Sequence, residues 1–581
     1  MRSLRTAPLL LLLTAAACGD DPASVAAATA PPTEEPAQPN DESSEPESPI
    51  TWKKCSLETG GDDALAECAN VEVPLDWNAP DGTKVTFFVK RVVGGGKGKR
   101  QQLWLLQGGP GGAGDGLESL AREILRNNDK VDVYIPDHRG TGRSAFLDCP
   151  TAFKKQGMDL PACAAEAEQI WGKGSLATFS TTTAARDVGY VIDKTRIENQ
   201  KVHVYGVSYG TYWAQRYLQL FPTQATAVTL DSVCQSGLCS LSKSPYWFDT
   251  IGKKYLGECA QDASCSGRLG ADPVATVRQS IAKAGAGTCA GLQGLSADEL
   301  KSYYAYFIMS VNLRVMIPSL AYRIVRCNED DVGALSKFAS NMKLWTSGVY
   351  SDSAKKDLSS DVLLLNIGMS ELEQDPFPSN AELEALMKDS LFSDAKKVVE
   401  QKDVYATWPR YAHDQYVGKY PDSATPVLLM NGTLDPQTPQ AIADQVAPHY
   451  TKPHQSYVVV ERAAHCVLSQ SPMPLDHGSP SPACGMMVWG DFLEDPTAPV
   501  YTACATQTLG HLFDENQSPL AQMMFDRTSL WGDTPEMGAP TAPPPITSAP
   551  SIAIQNELRR AMRDTRMLHL GDRLRARARA R

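Results

Sequence analysis

Three side chains, far apart along the chain, have the types and settings that acyl transfer by a serine requires. The first is Ser208, in Gly206-Val207-Ser208-Tyr209-Gly210. A short apolar run from Val202 to Tyr205 leads into it, and a helix-forming segment from Tyr212 to Leu220 follows. A chain passing from strand to helix through G-x-S-x-G reverses so sharply that the serine takes strained backbone, and glycines at 206 and 210 avoid clashes. The motif is a nucleophile elbow, which lifts one hydroxyl above the edge of a sheet and aims a helix N-terminus at it. The other two side chains are Asp435 and His465. Asp435 follows the apolar run Val427-Leu428-Leu429-Met430, and His465 follows Tyr457-Val458-Val459-Val460. Taken singly, Asp435 suits a turn-forming Asx residue and His465 an ordinary loop histidine. Together, in the order Ser, Asp, His and each after a strand, they form a Ser-His-Asp triad. His465 would then act as general base and later general acid, and Asp435 would hold its tautomer.

Such chemistry needs an oxyanion hole. The strand-like run Gln102-Leu103-Trp104-Leu105-Leu106 empties into Gly108-Gly109-Pro110-Gly111-Gly112-Ala113-Gly114. Residues 109–114 also match G-x-G-x-x-G, a dinucleotide fingerprint, and a second strand, Val131 to Ile135, leads to Asp137, where a ribose-binding acid could lie. The oxyanion reading is preferred. Asp137 is followed at once by the tight turn His138-Arg139-Gly140-Thr141-Gly142-Arg143-Ser144, and Ser208 needs such a loop on the strand before it in the core. The amides of Gly109 and Tyr209 are the expected donors. No cofactor is called for, and no H-E-x-x-H motif is present to bind a metal.

The loop at Gly108 to Gly112, the turn Asp137 to Ser144 and the elbow Gly206 to Thr211 together resemble the prolyl iminopeptidase and tripeptidyl aminopeptidase family of α/β-hydrolases. Cys68 to Asp76 and Val488 to Pro496 are similar to segments of the secreted tripeptidyl aminopeptidase branch. The resemblance takes in roughly residues 52–515, with a weakly matched middle. It implies an α/β-hydrolase fold with a mostly parallel central sheet and a large helical lid insertion. It also implies an exopeptidase acting on peptide N-termini. Such a site must hold a free α-ammonium, and the segment Ile367 to Asp375 resembles the one bearing the family's amine-binding acids. Glu371 and Glu373 are the candidates, and Glu371 is favoured because it is closer to the apolar run Val362 to Leu365. An exposed acidic turn is the plain alternative.

The surrounding elements fit this plan. Strands are expected at Cys68 to Asp76 and Lys84 to Val93, with Asp81-Gly82 as a hairpin turn, and at Ala227 to Asp231. Between them and Val427 the pattern turns helical, as at Val274 to Ala284, Ala297 to Met309 and Asn380 to Val398. The expected division is core at 51–233, lid at 234–420, core again at 421–515, and a Pro-rich linker with a basic tail at 516–581. That tail reads either as solvated or as a contact with anionic lipid or envelope.

The 581 residues are 42% apolar and 21% charged, ordinary for a globular protein, and a net charge of −12 disfavours nucleic acid as the main partner. A basic start, the apolar run Leu9 to Ala17 and Ala15-Ala16-Ala17-Cys18 resemble a bacterial lipobox, with Ala15 departing from the usual Leu. Cys18 would then carry a lipid anchor. Ordinary signal cleavage is the alternative, and both imply export, to the cell envelope or beyond. Residues 19–50, rich in Pro and Glu, read as an extended acidic tether. Past Cys18 no cysteines show zinc spacing, so disulfides are expected, with neighbour pairing 55–68, 149–163, 234–239, 259–265, 289–327 and 484–504, and Cys466 left over. A free Cys466 beside His465 would be open to thiol reagents. Two further functions remain compatible with these residues: an esterase on the same triad, and a non-catalytic envelope binding protein.

Overall fold

The computed structural model describes residues 50–532, except 99, 155–156, 347–357, 394–406, 475–480, 512 and 514–517. The leader with Cys18, nearly all of the tether and the basic tail lie outside the described residues.

Nine strands form one sheet: β1 (Lys53–Cys55), β2 (Ala66–Pro74), β3 (Lys84–Val92), β4 (Gln101–Leu106), β5 (Val131–Pro136), β6 (Val202–Val207), β7 (Ala227–Asp231), β8 (Val427–Gly432) and β9 (Gln455–Val460). Their order is β1-β2-β3-β5-β4-β6-β7-β8-β9. The first pairings, β1 with β2, β2 with β3 and β3 with β5, are antiparallel; every later one is parallel. β5, β6, β7 and β8 are buried along their whole length. This is the pattern of parallel strands covered on both faces. One polar residue in that interior stands out. His203 on β6 is buried, and neither ring nitrogen has a hydrogen-bond partner among the described residues.

Helices cover both faces: α1 (Glu118–Asn127), α2 (Leu160–Trp171), α3 (Thr181–Thr195) and α4 (Tyr209–Leu220). The lid follows β7, with α5 (Ser244–Gln261), α6 (Ala263–Leu269), α7 (Pro273–Ala286), α8 (Ala297–Ile308), α9 (Met316–Arg326), α10 (Glu329–Thr346), α11 (Asp361–Ile367) and α12 (Asn380–Met387). Local chemistry starts several of them. Asp262 and Asp272 cap α6 and α7, while Ser296 with Glu299 and Ser379 with Glu382 form capping boxes on α8 and α12. The helix expected over Asn380 to Val398 is shorter. It stops at Met387, because Lys388 turns extended and Asp389 takes φ 61°. After β8 come α13 (Gln440–Val446), α14 (Cys484–Glu494) and α15 (Ser518–Phe525).

The lid has its own core, in which Phe248, Leu300, Phe307, Ile317 and Phe338 pack together. Residues 518–532, expected to begin the linker, belong to that core. Leu520, Phe525, Leu530 and Trp531 pack into it, and the buried Arg323 donates to the carbonyls of Leu530 (2.7 Å) and Ser529 (2.8 Å). The six neighbour disulfides are all present. Cys466 is disulfide-bonded as well, and no described cysteine is free. The expected reactive thiol beside His465 is therefore absent.

Candidate active site

Ser208 sits between β6 and α4 with φ 59° and ψ −130°. The flanking glycines are required by space. A Cβ on Gly206 would lie 2.2 Å from the Gly210 carbonyl oxygen, and one on Gly210 would lie 2.1 Å from that of Leu106. The glycine loop after β4 lies directly against the nucleophile, since a Cβ on Gly108 would come within 2.7 Å of the Ser208 Cβ. Gly109 takes φ 122°. Neither its amide nor that of Tyr209, the first residue of α4, donates to a protein acceptor among the described residues. Both are thus available to an anion. The Tyr209 side chain is buried, with its hydroxyl 3.0 Å from Thr181 Oγ1 and 3.1 Å from His138 Nε2. Asp137, weighed above as a ribose ligand, is fully buried and ties the loop down. It accepts from the amides of Gly114 (2.8 Å) and Arg143 (2.8 Å), and from Arg143 Nε (2.9 Å). Its oxygens are thus committed to the loop and its turn, which does not suit a ribose ligand.

Asp435 and His465 meet above the ends of β8 and β9. His465 Nδ1 is 2.8 Å from Asp435 Oδ2 and 3.0 Å from Oδ1. This contact places the ring proton on Nδ1 and makes Nε2 the basic nitrogen. Asp435 also accepts from the amides of Gln437 (2.8 Å) and Thr438 (2.9 Å) and from the Thr438 hydroxyl (2.9 Å). Thr438 Oγ1 lies 3.2 Å from His465 Nδ1 as well, so it braces acid and base together. Sequence reasoning missed Thr438. Its signal is a hydroxyl three residues after an acid in a turn, a spacing common to many turns of no catalytic use. The elbow and the histidine loop share one anchor. The Ser208 amide donates to the Asp231 carbonyl (3.0 Å), and the Cys466 amide donates to Ser232 Oγ (2.9 Å).

Both predicted lid acids are buried, which removes the exposed-turn alternative. They occupy a π-turn and its exit, Gly368–Leu372 and Glu373, directly after α11. Glu371 Oε1 accepts from the Thr181 amide (2.9 Å) and the Tyr411 hydroxyl (2.6 Å). Its Oε2 accepts from the Tyr212 hydroxyl (2.9 Å) and lies 3.4 Å from the Arg216 guanidinium. Beside it a cleft of about 510 Å³ is lined by Trp77, Arg186, Tyr411, Asp414 and Tyr416. Glu373 accepts from the hydroxyls of Ser240 and Ser242 and from the amides of Ser242 (3.1 Å) and Gln374 (3.1 Å). It forms no ion pair among the described residues, and burial pushes its carboxyl above the usual range. The segment bearing both acids starts on the oxyanion loop. The Ser360 amide donates to the Gly111 carbonyl (2.9 Å), and a Cβ on Gly111 would lie 2.3 Å from the Ser360 oxygen.

Among the described residues, no group of three or more His, Cys, Asp or Glu could hold a metal ion, and no helix is long and apolar enough to cross a membrane.

Residues 103–297 match the model of the alpha/beta hydrolase fold, and residues 394–504 match that of the TAP-like protein. Together these take in more than half of the chain, the first match holding Ser208 and the second Asp435 and His465. The chain is 28% identical over 244 residues to a tripeptidyl aminopeptidase of Streptomyces lividans, covering 38% of this chain and 42% of that protein. It is 24% identical over 263 residues to serine protease Hip1 of Mycobacterium tuberculosis (39% and 48%), and 28% identical over 252 residues to carboxylesterase B of the same species (38% and 47%). The chain thus spans less than half the length of each of these relatives. With its sheet, elbow and family matches, the chain belongs to the α/β-hydrolases, in the tripeptidyl aminopeptidase-like family.

Proposed function

We propose that the protein is an exported serine aminopeptidase that releases short peptides or single residues from peptide N-termini. The observation that carries the reading is the Asp435–His465 contact, on a histidine loop anchored to the same Asp231-Ser232 dipeptide as the elbow that bears Ser208. Ser208 Oγ attacks the scissile carbonyl as His465 Nε2 takes its proton, and the Asp435 carboxylate stabilises the imidazolium. The oxyanion is bound by the amides of Gly109 and Tyr209; loss of one such donor costs about 3 kcal/mol of transition-state stabilisation. His465 then protonates the leaving amine. The acyl-enzyme opens to water by the same steps in reverse order. The leader and placement at the bacterial cell envelope belong to this proposal, and rest on residues 1–18.

For the substrate's ammonium, the bonding favours Glu373 over Glu371. Glu371 already faces four donors, one of them the Arg216 cation, whereas Glu373 is bonded by hydroxyls and amides, with the Lys243 charge acting on it without an ion pair among the described residues. An ammonium would gain most from the acid with no cation paired to it. The test compares free and N-acetylated peptide substrates in a release assay, beside p-nitrophenyl esters. Free peptides should be cut and acetylated ones should not, Glu373→Gln should raise KM for the free peptides, and Ser208→Ala should abolish turnover. Indifference to acetylation, with rapid ester cleavage, would instead favour an esterase, the reading to which the saturated Glu371 and the likeness to carboxylesterase B lend support.

A further inference from the structure

A second buried carboxylate lies close to the triad, and the mechanism above does not use it. Asp231 ends β7, the strand beside the nucleophile's own, and is fully buried. Its Oδ1 accepts from the Val467 amide (2.8 Å) and the Ser232 hydroxyl (3.1 Å). Its Oδ2 accepts from the Leu468 amide (3.0 Å) and the Tyr205 hydroxyl (2.8 Å). Val467 and Leu468 are the second and third residues after His465. The next amide inward, Cys466, is held by Ser232 Oγ at 2.9 Å. Three consecutive amides of the histidine loop thus converge on the Asp231-Ser232 dipeptide. The same dipeptide receives the Ser208 amide on the Asp231 carbonyl. Cys466 has φ 69° and Ser232 φ 62°, so neither turn is in its lowest-energy backbone state and each needs outside support.

We propose that Asp231 is a positioning residue for His465, fixing the loop that carries the base against the elbow that carries the nucleophile. The imidazole ring itself is held by Asp435. The effect of Asp231 reaches the ring through the loop backbone and through its charge. Two amides and two hydroxyls donate to it, an environment that suits a carboxylate rather than a carboxylic acid. Burial pushes its carboxyl up, while the Leu468 and Val467 amides and the Tyr205 hydroxyl draw it down. The ionisable groups facing it are Tyr205 from β6 and His465 from the loop, with Asp435 beyond the imidazole. The Asp231 charge therefore adds to that of Asp435 in favouring the imidazolium formed during acylation.

The proposal rests on the triad reading, and the test separates the two. Purified full-length protein is assayed with a chromogenic peptide across pH, and thermal unfolding is followed in parallel. Asp231→Asn keeps the shape but removes the charge and sets an N–H donor against N–H donors. Its kcat should fall by roughly ten- to a hundredfold with KM within about threefold, and the acidic limb of the kcat/KM profile should move down by roughly half a pH unit. Ser232→Ala removes one amide anchor and no charge, so kcat should fall a few-fold with the limb unmoved. Should Asp231→Asn unfold below the assay temperature, Tyr205→Phe and Ser232→Ala decide, and wild-type kcat in both would overturn the proposal. Wild-type kcat and an unmoved limb in folded Asp231→Asn would overturn it too. Turnover by Ser208→Ala would refute the triad itself. An inactive Ser208→Ala beside an unimpaired Asp231→Asn would refute only the role of Asp231.

Discussion

Acid should weaken this fold in part through a histidine in the middle of its sheet. His203 on β6 is enclosed, with both ring nitrogens unpartnered among the described residues, and desolvation holds its pKa down to about 4. In the unfolded chain the ring titrates near the usual 6.5. Above about pH 6.5 both states carry it neutral and nothing is lost. Between there and about 4, the unfolded chain binds a proton that the fold excludes, so stability falls as pH falls. At pH 4.5 two pH units of that window have been crossed, worth roughly 2.5 kcal/mol at about 1.4 kcal/mol per unit. His203→Leu removes the titrating ring from a site that is already apolar. Urea unfolding followed by tryptophan fluorescence, with disulfides intact, measures both proteins at pH 7 and pH 4.5. The wild type should lose roughly 2.5 kcal/mol more than the variant between those two conditions. Equal losses would refute the reasoning, and would mean that the ring finds a partner or a route to water.

Three further outcomes follow from the site and the lid. Thr438→Val removes the hydroxyl that braces Asp435 and His465, and should lower kcat by about tenfold with little change in KM, read from steady-state kinetics. Asp137→Asn loosens the oxyanion loop by weakening its hold on Gly114 and Arg143; labelling of Ser208 by a fluorophosphonate should slow by a similar factor. A chain ended at residue 515 loses Leu520, Phe525 and Trp531 from the lid core and should melt far below one ended at 532, since a single large buried side chain is worth roughly 3–5 kcal/mol.

Much of the framework was legible in the sequence because its signals are local. The elbow is a pentapeptide between a strand and a helix. The lid helices announce themselves through caps such as Ser296 with Glu299, and six disulfides join cysteines that are neighbours in the chain, whereas the bond of Cys466 does not. What stayed hidden depends on contacts between distant residues. The burial of Leu530 and Trp531 is set by Arg323, more than two hundred positions earlier, and residues 516–532 alone resemble the start of a linker. The saturation of Glu371 draws on Thr181, Tyr212, Arg216 and Tyr411, from three separate parts of the chain. Asp231 closes an ordinary hydrophobic strand, and only the fold brings it under the histidine loop. Favourable residues continue past Met387, so the sequence alone extends the helix from Asn380, while the backbone at Asp389 leaves the helical region.

The contact between Ser360 and Gly111 limits how this protein could be rebuilt. A designer wishing to change substrate range by transplanting the cap from a cousin would cut at the two ends of the insertion, near residues 234 and 420. That cut would carry away the stretch around 358–364, on which the glycine hairpin behind the nucleophile leans. The transplant would then arrive with a blunted catalyst, whatever its new pocket accepts. A graft that retains this stretch from the recipient, and exchanges only the helices on either side of it, should keep its turnover.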